Sequence, residues 1–94
     1  MVNLGYAHHK NGDETRAMLY YSRALMLDPR NVRARLFLGY ALEMVGYGSE
    51  AITELRKVML QDPANDGARR ALARLGVVPP PVGNPPPPPL PKGR

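Results

Sequence analysis

The chain has 94 residues, with 13 Lys and Arg against 8 Asp and Glu, 11 prolines and no Cys or Trp. That length holds one small domain, and zero Cys excludes a disulfide scaffold, a thiolate metal site and a cysteine nucleophile. The net charge of +5 permits acidic partners or a nucleic-acid contact without requiring either.

Five helices are predicted, in chain order. The first covers residues 1–11, where Leu4, Ala7 and His8 share a face. Gly12 closes it, because a left-handed turn needs no side chain. Asp13 caps the second helix, residues 13–28, whose stripe is Ala17, Met18, Tyr21, Ala24 and Leu25. Asp28-Pro29 stops it, since the residue before proline avoids helical geometry. Asn31 caps the third helix, residues 31–45, with Leu38, Ala41 and Leu42 on one face and Gly46 at its end. Tyr47-Gly48 makes the next turn unusual and leaves Ser49 as the available cap. The fourth helix, residues 48–61, carries Ala51, Ile52, Leu55, Val58 and Met59 on its stripe and ends at Asp62-Pro63. Asn65 caps the fifth, residues 65–75. Short connections make sequential helices antiparallel neighbours.

Residues 77–94 read VVPPPVGNPPPPPLPKGR and hold nine of the 11 prolines. Such a segment cannot fill a core, and the prolines at 85–89 are expected to run as polyproline II at ~3.1 Å per residue. The foldable part is therefore residues 1–76, with 11 basic and 8 acidic side chains. A core of that size is marginal. No apolar run approaches the ~20 residues of a membrane span. Met1-Val2-Asn3 leads into patterned sequence without the basic start and apolar stretch of a signal peptide. With Met1 as the native start, the expected location is the cytoplasm or the compartment of synthesis.

The sequence repeats itself. Shifted by 34, Leu4-Gly5-Tyr6-Ala7 falls on Leu38-Gly39-Tyr40-Ala41, Gly12 on Gly46 and Ala17 on Ala51. Asp28-Pro29-x-Asn31 falls on Asp62-Pro63-x-Asn65, and Ala34 on Ala68. These are 10 identities in 34 positions, where chance gives roughly two. Period, Leu-Gly-Tyr-Ala, turn glycine, second-helix alanine and closing Asp-Pro-x-Asn resemble the signature of the tetratricopeptide repeat (TPR) family. The resemblance covers residues 1–76. It implies an all-α helical-hairpin solenoid of about five antiparallel helices: units 1–31 and 32–65, a capping helix over 65–76, and a proline-rich tail over 77–94.

The sequence departs from the family pattern at several places. Met1 and Arg35 stand where an aromatic usually precedes the leucine by three residues. Glu14 and Gly48 stand where an aromatic often follows the turn glycine. The first helix is expected to begin only at Met1, without the family's usual first turn. A solenoid generally needs about three repeats for a continuous core, so self-association, docking on a partner or membership of a longer array is expected.

The resemblance implies a concave groove lined by the first helix of each pair. Carried over residue by residue, the lining is Val2, Tyr6, His9 and Lys10, then Arg33, Leu36, Tyr40, Glu43 and Met44, then Arg70 and Arg74. Tyrosine suits recognition because it offers large area at low entropy cost; equally, Tyr6 and Tyr40 pack against the next helix in the plainer alternative. Some members of the family grip a chaperone's C-terminal carboxylate with Lys, Asn and Arg. Val2, Tyr6, Phe37 and Ala71 stand at the matching positions here and, apart from the Tyr6 hydroxyl, offer no donor.

Arg30, Arg33, Arg35, Arg69, Arg70 and Arg74 cluster on leading helices. They read either as solvated helix surface or as a patch for phosphate or an acidic partner; a nucleic-acid partner is disfavoured. His8-His9 with Asp13-Glu14 suggests a metal, but adjacent helical residues point about 100° apart and no third ligand converges. No Ser-His-Asp set, phosphate loop or carboxylate pair occurs. The expected function is a non-enzymatic protein–protein interaction module, an adaptor or assembly scaffold without cofactor or metal. Alternatives are a structural subunit of a larger complex, or nucleic-acid or acidic-partner binding through the Arg patch. The tail motif Pro88, Pro89, Leu90 and Pro91 resembles a ligand for a proline-binding domain of the WW type; a semi-rigid linker is the alternative.

Overall fold

Side-chain caps and glycine turns set the helix boundaries in a computed structural model that describes residues 1–77. The tail motif at 88–91 lies outside the described residues. The helices are α1 (Val2–Lys10), α2 (Glu14–Leu27), α3 (Val32–Met44), α4 (Gly48–Gln61) and α5 (Asp66–Arg74). Every predicted boundary agrees to within one residue. Asp13, Asn31 and Asn65 each accept a backbone N–H three residues on, from Arg16 at 3.1 Å, Ala34 at 3.0 Å and Ala68 at 2.9 Å.

Gly12, Gly46 and Gly76 take φ of 81°, 90° and 86°. Each sits in a paired end-turn: Asp13 N–H donates to the His8 carbonyl, Tyr47 to Leu42 and Val77 to Leu72. The Gly46 turn corrects the expectation for Ser49. It fixes Tyr47 as the N-cap of α4, without a side-chain bond, and leaves Ser49 inside the first turn. Gly46→Ala is expected to cost about 1 kcal/mol, since only the backbone conformation resists the new methyl. Gly48→Ala is expected to be neutral or better, its Cβ meeting only Leu75 at 3.8 Å. Urea midpoints for the two variants, at unchanged slope, check the contrast.

Small residues let the helices approach. Ala17, Ala34, Ala51, Ala68 and Ala71 are fully buried. A Cβ on Gly5 would stand 2.5 Å from the Tyr21 ring, and one on Gly39 would stand 2.8 Å from Leu55. These pairs are related by the 34-residue shift. One core cluster is Ala17, Tyr21 and Ala41, flanked by Val2, Met18, Phe37 and Leu38. The other joins Ala51, Leu55, Val58, Ala68, Ala71 and Leu72, flanked by Leu36 and Tyr40 among others.

The apolar face expected on the first helix is only partly used. Leu4 is 53 % exposed, and Ala7 is exposed, whereas their repeat counterparts Leu38 and Ala41 are half-buried and buried. Among the described residues no helix precedes α1 to cover it. His8 alone finds a partner, stacked on Tyr20 at 5.4 Å and 5°.

Candidate binding groove

Helix α3 touches both α1 and α5, so the three leading helices lie side by side. Two adjoining depressions occupy their common face. One, of about 360 Å³, is lined by His9, Tyr40, Glu43, Met44, Gly67, Arg70 and Arg74. The other, of about 220 Å³, is lined by Tyr6, His9, Tyr21, Phe37 and Tyr40. His9 and Tyr40 form their shared wall.

Tyr6, His9, Tyr40, Glu43, Met44, Arg70 and Arg74 are thus brought together. Val2 and Leu36 are not: each is half-buried against a core cluster. Arg33 lies over the Phe37 ring at 5.4 Å and Lys10 over Tyr6 at 5.7 Å, both as flanks. The two readings of the tyrosines both apply. Tyr6 is 44 % exposed; Tyr40 is half-buried, packs on the C-terminal core and sets its hydroxyl over Gly67.

Sequence reasoning missed Phe37 as a lining residue. Its ring stands 5.8 Å from Tyr6, 5.6 Å from Tyr21 and 6.2 Å from Tyr40. The result is one aromatic run across α1 and α3. The usable signal was its position one turn from both Arg33 and Tyr40. Tyr21 reaches the same floor from α2, and Gly67 leaves room beside Tyr40. Ala71, one of the positions compared with a carboxylate clamp, is fully buried.

His9 and Glu14 meet across the Asn11-Gly12 turn. The His9 Nδ1–H donates to Glu14 Oε2 at 2.6 Å, which pins the imidazole at the shared wall. No group of three metal-ligating side chains converges among the described residues. The arginine cluster divides. Arg74 makes a two-pronged contact with Glu43 at 3.0 and 2.9 Å. Arg35 is held by Glu54 at 2.8 Å and by the Pro29 carbonyl at 3.0 Å. Arg70 lines the groove and Arg33 flanks it, neither with a carboxylate within 4.0 Å among the described residues.

Burial holds the phenols of Tyr21 and Tyr40 above the ordinary tyrosine value, with Glu14 adding to the rise at Tyr21 and Arg74 opposing it at Tyr40. Both shifts favour the neutral phenol in the folded chain. Stability is therefore unaffected below pH ~10 and falls as pH rises from there towards the raised folded values. Phenolate absorbance is expected to show Tyr21 and Tyr40 titrating late, and Tyr21→Phe is expected to soften the alkaline loss of stability.

The family profile of the tetratricopeptide repeat matches residues 8–75. Among solved structures, the TPR domain of Arabidopsis OM64 is similar, with a TM-score of 0.78 and 28 % identity. The likeness covers 80 % of this chain and 62 % of that one, so the chain spans less than two thirds of that domain. No curated protein matches the sequence.

Proposed function

Because the chain belongs to the tetratricopeptide repeat family, we propose that it is a protein–protein interaction module whose groove takes an extended or helical peptide. The carrying observation is the run Tyr6–Phe37–Tyr40, which lines the smaller depression and ends at Tyr40, a wall shared with the larger one. Aromatic rings supply apolar area, and Arg70 and Arg33 supply charge for an acidic flank. The chain acts as an adaptor or assembly scaffold, and α5 closes the two hairpins on one side. It is not an enzyme in this reading. The proline-rich tail is its second contact, offered to a proline-binding domain. No helix among the described residues is long and apolar enough to cross a membrane.

A peptide library selected on the full chain tests the groove. Selected peptides are expected to shift the ring signals of Tyr6, Phe37 and Tyr40. Shifts confined to other surfaces would remove the groove from the reading.

A second reading, self-association or a seat in a larger complex, is favoured by the bare Leu4 and Ala7 face. Leu4→Glu is then expected to lower the sedimentation-derived mass at high concentration. A parent chain that stays monomeric up to millimolar concentration argues against self-association.

A further inference from the structure

We propose that the groove's occupant in the free protein is the chain's own proline-rich tail, with residues 85–91 laid on the Tyr6–Phe37–Tyr40 run. This rests on the groove being a peptide site, and it names the ligand chemistry and the source.

The floor suits proline. Aromatic-lined grooves take polyproline II segments because the rings pack flat on pyrrolidines and the ligand is already ordered. Successive rings of the run stand 5.8 and 6.2 Å apart. Two residues of polyproline II rise ~6.2 Å, so an i, i+2 pair on one side of that three-fold helix spans two neighbouring rings of the run.

The chain leaves the fold beside the site. Arg74 ends α5 and lines the larger depression. Val77 is three residues on, within about 11 Å along the chain. Seventeen residues follow it, from 78 to 94. Seven of these precede Pro85, and they include Gly83-Asn84, a pair suited to reversing direction. The return path is therefore short, and a short tether gives an effective concentration of order millimolar.

Charge points the same way. Residues 78–91 carry no charge, so the basic rim of Lys10, Arg33 and Arg70 neither attracts nor repels them. Docking of that stretch is apolar, and Lys92 and Arg94 just beyond it share the rim's sign, so added salt does not weaken it. An acidic peptide from another protein adds attraction to that rim, displaces the tail and so frees it for its own partner.

The test compares the 94-residue chain with a full-length variant carrying Pro86→Ser, Pro87→Ser, Pro88→Ser and Pro89→Ser. Ring-proton shifts of Tyr6, Phe37 and Tyr40 are read in both, over a dilution series. A synthetic peptide of residues 83–94 is then added to each. The ring signals are expected to differ between the chains at every concentration. The peptide is expected to bind the variant about two- to tenfold more tightly, because the tethered competitor is gone. Coincident ring signals, or equal peptide affinity for both chains, overturn the proposal. Ring signals that move on dilution of the parent assign the tail to a second copy and overturn the intramolecular docking. Failure of this kind leaves the groove standing if library peptides still shift the three rings. If no peptide shifts them, the reading of the groove fails with it.

Discussion

Leu55→Ala is expected to lower the unfolding free energy by about 3 kcal/mol. Leu55 is completely buried in the C-terminal core, at the point where α4 presses on α3. Its side chain occupies the space that a Cβ on Gly39 would enter. Truncation therefore opens a void beneath a glycine, which has no side chain of its own to fill it. A chain of this size has on the order of 5 kcal/mol of stability, so most of the folding free energy is lost. The same contact predicts a reversal of sign. Gly39→Ala alone overpacks Leu55 and is expected to cost about 1–3 kcal/mol. Placed with Leu55→Ala, the added methyl loses the clash with the Leu55 branch, and alanine's better helix propensity makes it stabilising by up to about 1 kcal/mol. Urea titrations of the four chains close the cycle. Additive effects would mean that Gly39 and Leu55 do not share one space.

The 34-residue shift made much of this legible. It paired Gly12 with Gly46 and Asn31 with Asn65, and those residues end and begin helices by local chemistry alone. Helix boundaries followed because caps and left-handed glycines act within three or four residues. The shift also carries Gly5 to Gly39 and Tyr21 to Leu55, but close approach between helices has no local signature. What the glycines face emerges only once the helices pack. Leu4 shows the converse. Its own pattern marks it as core, and only the absence of a preceding helix among the described residues leaves it bare.

The groove was half legible for the same reason. Tyr6 and Tyr40 recur with the repeat, so reasoning by repeat found both. Phe37 has no counterpart in the first unit, where Asn3 stands, and reasoning by repeat passed over it. The Arg cluster failed in another way. Sequence proximity grouped Arg33 with Arg35, yet two residues along a helix turn the side chain by about 200°. Arg33 goes to the groove and Arg35 to Glu54. The His9–Glu14 bond depended on the Gly12 turn folding the start of α2 back over the end of α1. That geometry is a consequence of the left-handed residue rather than of helical spacing.

Tyr40→Ala is expected to weaken binding of a groove-selected peptide by about 30-fold or more, the effect of removing a central aromatic anchor. Tyr40 is the tyrosine that lines both depressions, sharing their common wall with His9. Its loss leaves His9 alone between them, removes the ring next to Phe37 and leaves Arg70 and Arg74 facing a wider opening. Tyr40 also packs on the C-terminal core, so truncation is expected to lower stability as well. Two further variants separate the effects. Tyr6→Ala removes a ring that is 44 % exposed; about a tenfold loss of binding is expected at an unchanged urea midpoint. Tyr40→Phe keeps the ring and drops the hydroxyl above Gly67, and binding is expected to stay within a few fold. Calorimetric titration at temperatures where circular dichroism shows each variant folded gives the comparison. A folded Tyr40→Ala chain that binds as tightly as the parent would mean that recognition uses only the rim. The charge on Arg70 and Arg33 would then carry the specificity, and raised salt would abolish what the aromatic truncation had spared.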